Sequence, residues 1–533
     1  MAAKRDVVII GGGHNGLVTA FYLARAGKKP LVLERRPVVG GAAITDEFHP
    51  GFKVPTLAHT LGPLRPDVAR DMALERHGLQ IIRPEVRVFA PHPDGRALFL
   101  YDDAERSAKS IATFSAKDAA KYAEFQGTLG RIGKVMAKVL EMPPPSLDHP
   151  SKGDLWSLLK VGKGLRGLGK KEMYHVLRWG PMAVADLVAE FFETELLRAV
   201  VAARGVFGAF LGPWSAGTSV MLLMRAAGDG NPAGPTLFPK GGMGAVTQAM
   251  AAAAKQAGAE IKTGAEVRQI TVRDGRATGV VLASGETIDA GAVISNADPR
   301  RTLLGLVDPV HLGPEFVVRL RNYRCYGTVA KVNLALSGLP EFTSLKRPPA
   351  GSPAGNTALS GRIHIGPEID YLERAFDDSK YGDFSKNPYL DVAIPSIADP
   401  TLAPAGKHVM SIYMQFAPFK LKTGDWDSRA EALGDTVVNT LSQYAPNLKS
   451  LILQGQVITP KGLESNYSLT SGHIFHGELA LDQIFTMRPL LDWARYRTPI
   501  QSLYLCGSGT HPGTGLTGGS GANAAREILK ELR

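Results

Sequence analysis

The feature that most constrains this chain is a short glycine-rich segment between two elements of regular structure near its start. The run VVII at 7–10 is dominated by β-branched residues and predicts a buried strand. The segment GGGHNG at 11–16 follows and fits the spacing G-x-G-x-x-G. Apolar spacing then predicts a helix from Leu17 to Ala26, and the run 29–34 predicts a second strand ending in Glu34. This order predicts a βαβ unit in an α/β fold.

The glycines and the acid of this unit are typical of a dinucleotide site. Gly11 permits a tight turn, Gly13 lets the backbone approach a pyrophosphate, and Gly16 lets the helix pack closely on the strand. The helix N-terminus offers free N–H groups and a positive dipole end to phosphates. Glu34 lies 18 residues after Gly16, where an acid can accept hydrogen bonds from ribose hydroxyls. The predicted binding residues are Gly11, Gly12, Gly13, His14, Asn15, Gly16 and Glu34.

A second glycine pair indicates which dinucleotide is bound. The segment RPVVGG at 36–41 fits R-x-x-x-G-G and directly follows the acid and Arg35. An arginine offsets phosphate charge, and the glycines let more chain pass close to the ligand. The pattern resembles FAD-binding flavoproteins of the glutathione-reductase and amine-oxidase type. We therefore favour FAD over NAD and add Arg35, Gly40, Gly41 and Ala42 to the predicted binding residues.

A third glycine-rich segment lies near the end of the chain. The run 502–506 predicts a buried strand, GSGTHPGTGLTGGSG occupies 507–521, and 522–532 predicts a helix. A helix N-terminus at this place would stabilise the negative charge that reduced flavin carries. We predict contacts to the cofactor from Gly507, Gly509, Leu516 and Thr517.

Both ends of the chain resemble the phytoene-desaturase-like flavoproteins. The segments that carry the resemblance are GHNGLVTAFYLARAG at 13–27, ERRPVVGGAAITDEFHPGFK at 34–53 and GSGTHPGTGLTGG at 507–519. The resemblance implies an FAD-dependent oxidoreductase in which the backbone at Val267 contacts the adenine. It also implies a mitochondrial matrix location for a eukaryotic relative. The chain departs from the related amine-oxidase-like flavoproteins at Ser508, where many of them have an acid.

The predicted fold class is α/β, with a Rossmann-like FAD-binding domain of the glutathione-reductase and amine-oxidase type and an interleaved α+β substrate domain. A glycine segment at 236–244, an Ala-rich helix at 245–257 and a hairpin turn at Asp274-Gly275 indicate that the FAD-binding domain returns in mid-chain. We assign 1–90, 230–300 and 480–533 to it, and 91–229 and 301–479 to the substrate domain. A helix over 186–204 and strands over 329–336 and 409–416 are predicted in the latter.

The candidate catalytic residues are histidines near the third glycine segment. His473 and His476 precede it in sequence, and His511 lies inside it. Tyr467 and Lys331 are weaker candidates. His473 and His476 are three residues apart, as metal ligands on a helix are, but no further ligand is evident and we predict no metal. A hydrogen-bonded loop is the alternative interpretation for both histidines.

Charge and cysteine content narrow the partners. Of 533 residues, 61 are Lys or Arg and 50 are Asp or Glu, which favours anionic ligands such as a phosphate-bearing cofactor. The two cysteines, Cys325 and Cys506, are far apart, so neither a redox disulfide nor a zinc site is predicted. No targeting segment is evident, and we expect a cytoplasmic protein without a nucleic-acid partner. The sequence predicts no oligomeric state.

The basic segment 152–179 has two interpretations. It holds seven Lys or Arg residues against two acidic ones, interleaved with Trp and Leu. Such a mixture suits a segment on an anionic membrane surface, and it also suits a solvated part of the substrate domain. Four glycines between 162 and 169 disfavour a stable helix there. We keep peripheral membrane association as a hypothesis.

The sequence thus predicts an FAD-dependent oxidoreductase that transfers a hydride from a hydrophobic small molecule to flavin. Two alternatives are a carotenoid-type desaturase or isomerase, and a flavoprotein that acts mainly by binding a partner of the respiratory system. Neither the substrate nor the electron acceptor is predicted.

Overall fold

The computed structural model describes residues 5–62, 64–346, 352–353, 355–513 and 515–532. Most of the strands belong to two seven-stranded sheets. The strands are β1 (Arg5–Ile10), β2 (Pro30–Leu33), β3 (Thr45–His49), β4 (Phe52–Pro55), β5 (Ile81–Ile82), β6 (Val88–Pro91), β7 (Ala97–Leu100), β8 (Phe238–Pro239), β9 (Glu260–Lys262), β10 (Val267–Arg273), β11 (Arg276–Leu282), β12 (Thr287–Ser295), β13 (Val329–Leu336), β14 (Arg362–Ile365), β15 (Tyr389–Ala393), β16 (His408–Gln415), β17 (Ile452–Ile458) and β18 (Leu503–Leu505).

Helices cover the faces of both sheets. They are α1 (His14–Arg25), α2 (Pro66–Asp71), α3 (Ala104–Ile111), α4 (Ala116–Glu141), α5 (Lys152–Gly167), α6 (Lys170–Trp179), α7 (Val184–Ala189), α8 (Glu195–Val206), α9 (Thr218–Ala226), α10 (Met243–Gln256), α11 (Pro314–Arg321), α12 (Ile369–Lys380), α13 (Pro395–Ala398), α14 (Trp426–Tyr444), α15 (Leu448–Leu451), α16 (Pro460–Tyr467) and α17 (Gly519–Glu531). The predicted α/β class is confirmed.

The first sheet contains the N-terminal βαβ unit. Its order is β10-β11-β12-β1-β2-β9, with β18 also paired to β12. Strand β1 runs parallel to both β2 and β12, so the strand order reverses direction at β1. In open α/β sheets, ligands bind in the crevice at the carboxyl ends of strands where such a reversal occurs. The core on one face packs α1, α10 and α17 against β1 and β12.

The second sheet has the order β17-β13-β16-β15-β14-β6-β7. Strands β13 and β16 pair antiparallel over their full lengths, close to the predicted spans 329–336 and 409–416. Every residue of β13 is buried, because both faces of this strand are covered. Continuous burial makes the polar side chains in these strands exceptional, and they form part of the site described below. The boundaries of the two predicted domains stay a prediction.

The helix predicted over 186–204 is divided in the structure. Helices α7 and α8 are separated at 190–194, because the buried carboxylate of Asp118 accepts hydrogen bonds from the N–H groups of Glu193 (2.9 Å) and Thr194 (2.7 Å). Ser115 is the N-cap of α4, and its side chain accepts a hydrogen bond from the N–H of Asp118. The hairpin at Asp274-Gly275 is confirmed, with positive φ at both residues.

The basic segment forms α5 and α6 in the folded chain, although its glycines disfavour a helix of the isolated segment. Ser151 and Asp154 form a capping box at the start of α5, and Asp154 also pairs with Arg495 at 2.8 Å. Gly169, at φ 82°, separates the two helices. Tertiary anchoring thus outweighs the weak helix propensity of the glycines. Among the described residues, no helix is long and apolar enough to cross a membrane.

Candidate active site

A cavity of about 500 Å³ lies between the two sheets. Its glycine-loop end is bounded by the carboxyl ends of β1, β2 and β12 and by residues of the third glycine segment. Its arginine end is bounded by α8, α9 and the second sheet. The glycine-loop end consists of Gly11, Gly13, Glu34, Gly40, Gly41, Ser508, Leu516 and Thr517. The arginine end consists of Arg204, Arg225, Arg362, Tyr389, Asp391 and Tyr413.

The first glycine loop leaves the N-terminus of α1 open. Gly13 is the N-cap and no side chain caps the helix, so its first N–H groups are available to a ligand. A Cβ on Gly13 would lie 2.8 Å from Nδ2 of Asn296, and a Cβ on Gly16 would lie 2.3 Å from the carbonyl oxygen of Gly11. Gly16 therefore serves the close packing of helix on strand, while Gly11 and Gly13 line the cavity.

The acid and the second glycine pair hold the first loop in place. The buried Glu34 carboxylate accepts hydrogen bonds from the N–H groups of Gly12 (2.8 Å) and Arg36 (2.9 Å). The N–H of Gly40 donates to the carbonyl of Gly12 at 2.9 Å. A Cβ on Gly41 would lie 3.3 Å from Cα of Gly13, so the two glycine segments pack directly on each other.

The cavity wall next to the acid carries cationic groups. Arg35, Ala42 and Val267 line it, as does Arg36. The Arg36 guanidinium lies over the Tyr467 ring, 5.0 Å from its centroid, and its buried Nη1 has no hydrogen-bond partner. Burial raises the pKa of Tyr467 to about 12, so the phenol stays protonated. An unpartnered guanidinium nitrogen beside an open helix N-terminus suits the two phosphates of a dinucleotide.

The third glycine segment completes this end of the cavity. Ser508, Leu516, Thr517 and Gly519 line it, so α17 begins at the cavity as predicted. Asn15 does not line the cavity; its amide donates to the Ser508 hydroxyl at 3.1 Å and its Oδ1 accepts from the N–H of Gly521 at 3.2 Å. Gly507 and Gly509 also lie behind the wall, against Asn296 and Pro299. Through its hydrogen bonds to Ser508 and Gly521, Asn15 joins the N-terminal and C-terminal segments of the chain.

The three candidate histidines do not share one environment. His476 lines the cavity and is half-buried, and its buried Nδ1 has no hydrogen-bond partner. Burial is the main cause that lowers its pKa. His14 also lines the cavity, and burial together with the nearby His476 lowers its pKa to about 4. Both rings are therefore neutral at pH 7, and they lie near each other in the wall.

His473 and His511 lie outside the cavity lining, so the structure does not bring these two catalytic candidates to the cavity. Nδ1 of His473 accepts hydrogen bonds from the N–H groups of Phe475 (3.1 Å) and Gly477 (3.4 Å). Nε2 of His511 donates a hydrogen bond to the carbonyl oxygen of Val139 (3.1 Å). Burial lowers their pKa values to about 3 and about 4, respectively. Both hold loops in place, and the helical metal spacing does not exist because this segment is irregular. Among the described residues, no group of three metal-ligating side chains occurs.

The residues that sequence reasoning missed are His59, Asp391 and Arg362, which form a polar cluster with the weaker candidate Lys331 beside the arginine end. Nζ of Lys331 lies 3.0 Å from Nδ1 of His59 and 3.9 Å from the centroid of the Tyr413 ring. Nε2 of His59 lies 3.8 Å from Oδ1 of Asp391, whose other oxygen accepts from Arg362 at 3.0 Å. His59 and Asp391 line the cavity, and Lys331 lies behind His59 and Tyr413. Lys331 and Asp391 are single charged residues inside apolar strands, and this sequence pattern could have indicated the cluster.

Burial controls the protonation of this cluster. It lowers the pKa of Lys331 well below its ordinary value, and burial with the nearby Lys331 and Arg362 lowers that of His59. A lysine and a histidine in contact cannot both carry a charge in a dry interior. The pair therefore carries at most one positive charge, and a neutral nitrogen of the pair is a candidate proton acceptor.

The two cysteines are buried thiols without a disulfide. Burial raises the pKa of Cys506 to about 12 and raises that of Cys325. Neither thiol ionises at neutral pH, so neither is activated for exchange.

The comparisons with known proteins agree with this geometry. Residues 16–529 match the family described as flavin containing amine oxidoreductase. The chain belongs to this family, and it is an FAD-dependent oxidoreductase of the amine-oxidase fold. It is 36% identical to rat pyridine nucleotide-disulfide oxidoreductase domain-containing protein 2, over 99% of this chain and 94% of the relative.

Two further relationships extend the comparison. The chain is 27% identical to a neurosporene-forming phytoene desaturase of Cereibacter sphaeroides, over 98% of this chain and 94% of the relative. The predicted phytoene-desaturase-like resemblance is therefore confirmed. A solved oxidoreductase from Methanosarcina mazei has the same fold, with a TM-score of 0.61 at 18% identity, over 98% of this chain and all of that one. No finding supports the alternative of a flavoprotein that acts mainly by binding a respiratory partner.

Proposed function

We propose that the chain oxidises a small organic molecule at the arginine end of the cavity while FAD lies at the glycine-loop end. Bound FAD supplies the acceptor for a hydride from the substrate. The observation that carries the proposal is one continuous cavity that joins an open phosphate loop to a buried proton-accepting pair. The residues of the chain bind the cofactor, orient the substrate and accept the proton.

The glycine-loop end fits the proposed cofactor. The open N-terminus of α1 and Arg36 would hold the pyrophosphate, while Glu34 would accept hydrogen bonds from the ribose. Val267 lines the same stretch of wall as Glu34, which supports the predicted contact to the adenine. The start of α17 at the cavity wall would place its positive dipole end beside the flavin. The predicted set of binding residues is retained as a proposal, with Gly12, Asn15, Gly16, Gly507 and Gly509 acting from behind the wall.

The proposed proton acceptor is the pair of Lys331 and His59. His59 lines the cavity, and Lys331 contacts it from the buried strand β13. As a C–H bond of the substrate breaks, a neighbouring O–H or N–H proton would move to a nitrogen of this pair. Asp391, 3.8 Å from the other ring nitrogen of His59, would stabilise the resulting positive charge.

A polyene desaturase is the second candidate function. The identity to the phytoene desaturase favours it, because that relative acts on a carotenoid precursor by its name. The arginine end disfavours it, because a hydrocarbon would leave the Arg225 guanidinium without an opposite charge. We therefore favour a smaller substrate with a polar end over a polyene.

Peripheral membrane association remains a proposal about α5 and α6. Asp154 and Trp179 are the buried residues of these two helices, whereas Trp156, Leu159 and Leu177 have exposed fractions of 61%, 65% and 65%. Exposed apolar side chains flanked by lysines suit an anionic lipid surface. In co-sedimentation with anionic vesicles, changing Lys163, Arg166, Lys170 and Lys171 to Gln should remove binding. The same change at the exposed Lys255, Lys386, Lys407 and Lys449 should not, and equal binding by both variants would contradict the proposal.

The experiment that tests the function is an anaerobic screen for compounds that bleach the flavin. The purified protein should contain FAD, and at least one small organic compound should reduce it without any added nicotinamide. NADH and NADPH serve as the comparison. Reduction by a nicotinamide alone, with no organic compound able to bleach the flavin, would contradict the proposed reaction.

A further inference from the structure

The arginine end of the cavity holds more positive than negative charge. Three guanidinium groups, from Arg204, Arg225 and Arg362, line this wall, and Asp391 is the carboxylate in the set. Burying a charge without an opposite partner is costly, so each guanidinium should have one. The partners of the three arginines therefore show whether a positive charge of the wall lacks an opposite charge that a ligand would supply.

Two of the three are accounted for by groups of the protein. Arg362 pairs with Asp391 at 3.0 Å. Arg204 donates to the carbonyls of Asn231, Pro232 and Asp229, so its hydrogen-bonding capacity is largely used. The Asp229 carboxylate lies near it and also pairs with Arg87 at 2.6 Å.

Arg225 is different. Its guanidinium donates to the carbonyl oxygens of Phe207, at 2.6 Å, and of Arg204. Among the described residues, no carboxylate lies within 4.0 Å of it. Its pKa is lowered by burial to about 10, so it remains charged at neutral pH. It keeps some accessible surface even though it lies deep in the fold, because it faces the cavity.

Aromatic rings surround this cation. Its guanidinium carbon lies 5.8 Å from the centroid of the Phe207 ring and 5.9 Å from that of Phe475. Phe207 also packs edge-on against Tyr413, with centroids 5.2 Å apart. The wall thus presents one cation set among apolar ring surfaces, which suits a ligand with an anionic head and an apolar body.

We propose that the substrate carries a carboxylate, which Arg225 binds, and that its apolar part packs among Phe207, Phe475 and Tyr413. This inference rests on the proposed function, because it places the substrate at the arginine end. A carboxylate matches the planar guanidinium and supplies the missing opposite charge. Arg362 adds positive potential to the same wall, while its pairing with Asp391 leaves Arg225 as the primary contact.

The test is equilibrium binding to the oxidised, FAD-containing protein, which requires no turnover. The probes are 4-phenylbutyrate, its neutral amide and 4-phenylbutylamine, followed under anaerobic conditions by the change in the flavin absorption spectrum. We expect the carboxylate to bind roughly ten- to a hundred-fold more tightly than the amide, as a charged hydrogen bond requires. Tightest binding of the amine, or equal binding of all three, would overturn the inference. So would no binding of any probe up to its solubility limit.

Variants locate the effect. Arg225→Gln should remove the preference for the carboxylate, Arg225→Lys should retain part of it, and the exposed Arg321→Gln serves as the matched control. A carboxylate preference that survives in Arg225→Gln with full FAD content would overturn the role of Arg225. If Arg225→Gln does not fold, the comparison of Arg225→Lys with the wild type decides, and an unchanged ratio there would equally overturn it. Because the measurement uses oxidised flavin, a failure of the proposed reaction would not alter these results.

Discussion

The two ends of the cavity are built from different parts of the chain. At the glycine-loop end, backbone N–H groups and closely packed glycines form the wall, and Glu34 is oriented by two N–H groups. At the arginine end, the wall consists of buried side chains from the second sheet and from α8 and α9. The first end is determined by local backbone conformation, and the second by side chains that meet only after folding.

This difference separates holding a cofactor from selecting and oxidising a substrate. Changes at the glycine-loop end should alter FAD affinity, whereas changes at the arginine end should leave FAD bound and alter reduction or ligand preference. Each of the following predictions tests that division, from the largest expected effect to the smallest.

Gly13→Val should abolish FAD binding. A Cβ here would lie 2.8 Å from Asn296, and the larger side chain would occupy the approach to the open helix N-terminus. Flavin absorbance per protein after purification measures the effect. Gly162→Val in the exposed part of α5, where a Cβ meets nothing within 4 Å, is the control and should retain FAD. Full FAD content in Gly13→Val would contradict the assignment of cofactor binding to the glycine-loop end.

Acid should destabilise both ends alike. The pKa of His14 at the glycine-loop end and that of His364 near the arginine end are each lowered to about 4, chiefly by burial. Because the unfolded chain takes up these protons near pH 6.5, the contribution of the two histidines to the free energy of unfolding should be constant above that pH and fall as the pH drops toward 4. The expected slope is about 1.4 kcal/mol per pH unit for each such histidine.

Urea unfolding of the FAD-containing protein between pH 7.5 and pH 5 measures this slope. His364→Gln should reduce it by the share of one histidine, and the exposed His149→Gln should leave it unchanged. A stability that does not depend on pH in this range would show that these rings are protonated or exposed in the folded protein.

Glu34→Gln should weaken FAD binding by roughly ten-fold. The amide keeps the shape of the carboxylate but loses its charge-assisted hydrogen bonds, which are worth about 1.5–3 kcal/mol each. Part of the loss falls on the loop itself, since Glu34 also accepts from Gly12 and Arg36. Titration of the apoprotein with FAD measures the dissociation constant. An unchanged constant would mean that this acid does not contact the ribose.

His476→Asn and His511→Asn should differ by a small factor. His476 lines the cavity and lacks a partner for Nδ1, whereas His511 bonds to Val139 behind the wall. We expect flavin reduction to slow by roughly two- to ten-fold in the first variant, the value of one hydrogen bond, and to stay unchanged in the second. Rapid-mixing measurements with a compound from the anaerobic screen give both rates. Equal rates in the two variants would place His476 among the scaffold residues.

The contrast also explains what the sequence could predict. The βαβ unit, the second glycine pair and the last helix follow from short-range patterns. The start of α1 was predicted at Leu17 instead of His14, and that of α17 at 522 instead of Gly519. The pair of Lys331 and His59 joins residues 272 apart in sequence, and no local rule connects them. Lys331 was a weak candidate for this reason, whereas proximity in sequence favoured His473 and His511, which lie outside the cavity lining.

The central claim is that the glycine-loop end holds FAD and the buried pair beside the arginine end serves its reduction. Lys331→Met tests it most directly, because methionine fills a similar buried space without a proton-accepting nitrogen. The variant should retain equimolar FAD, and its anaerobic flavin reduction by the screened substrate should slow by about 100-fold or more. Full FAD content with reduction at the wild-type rate would contradict the account.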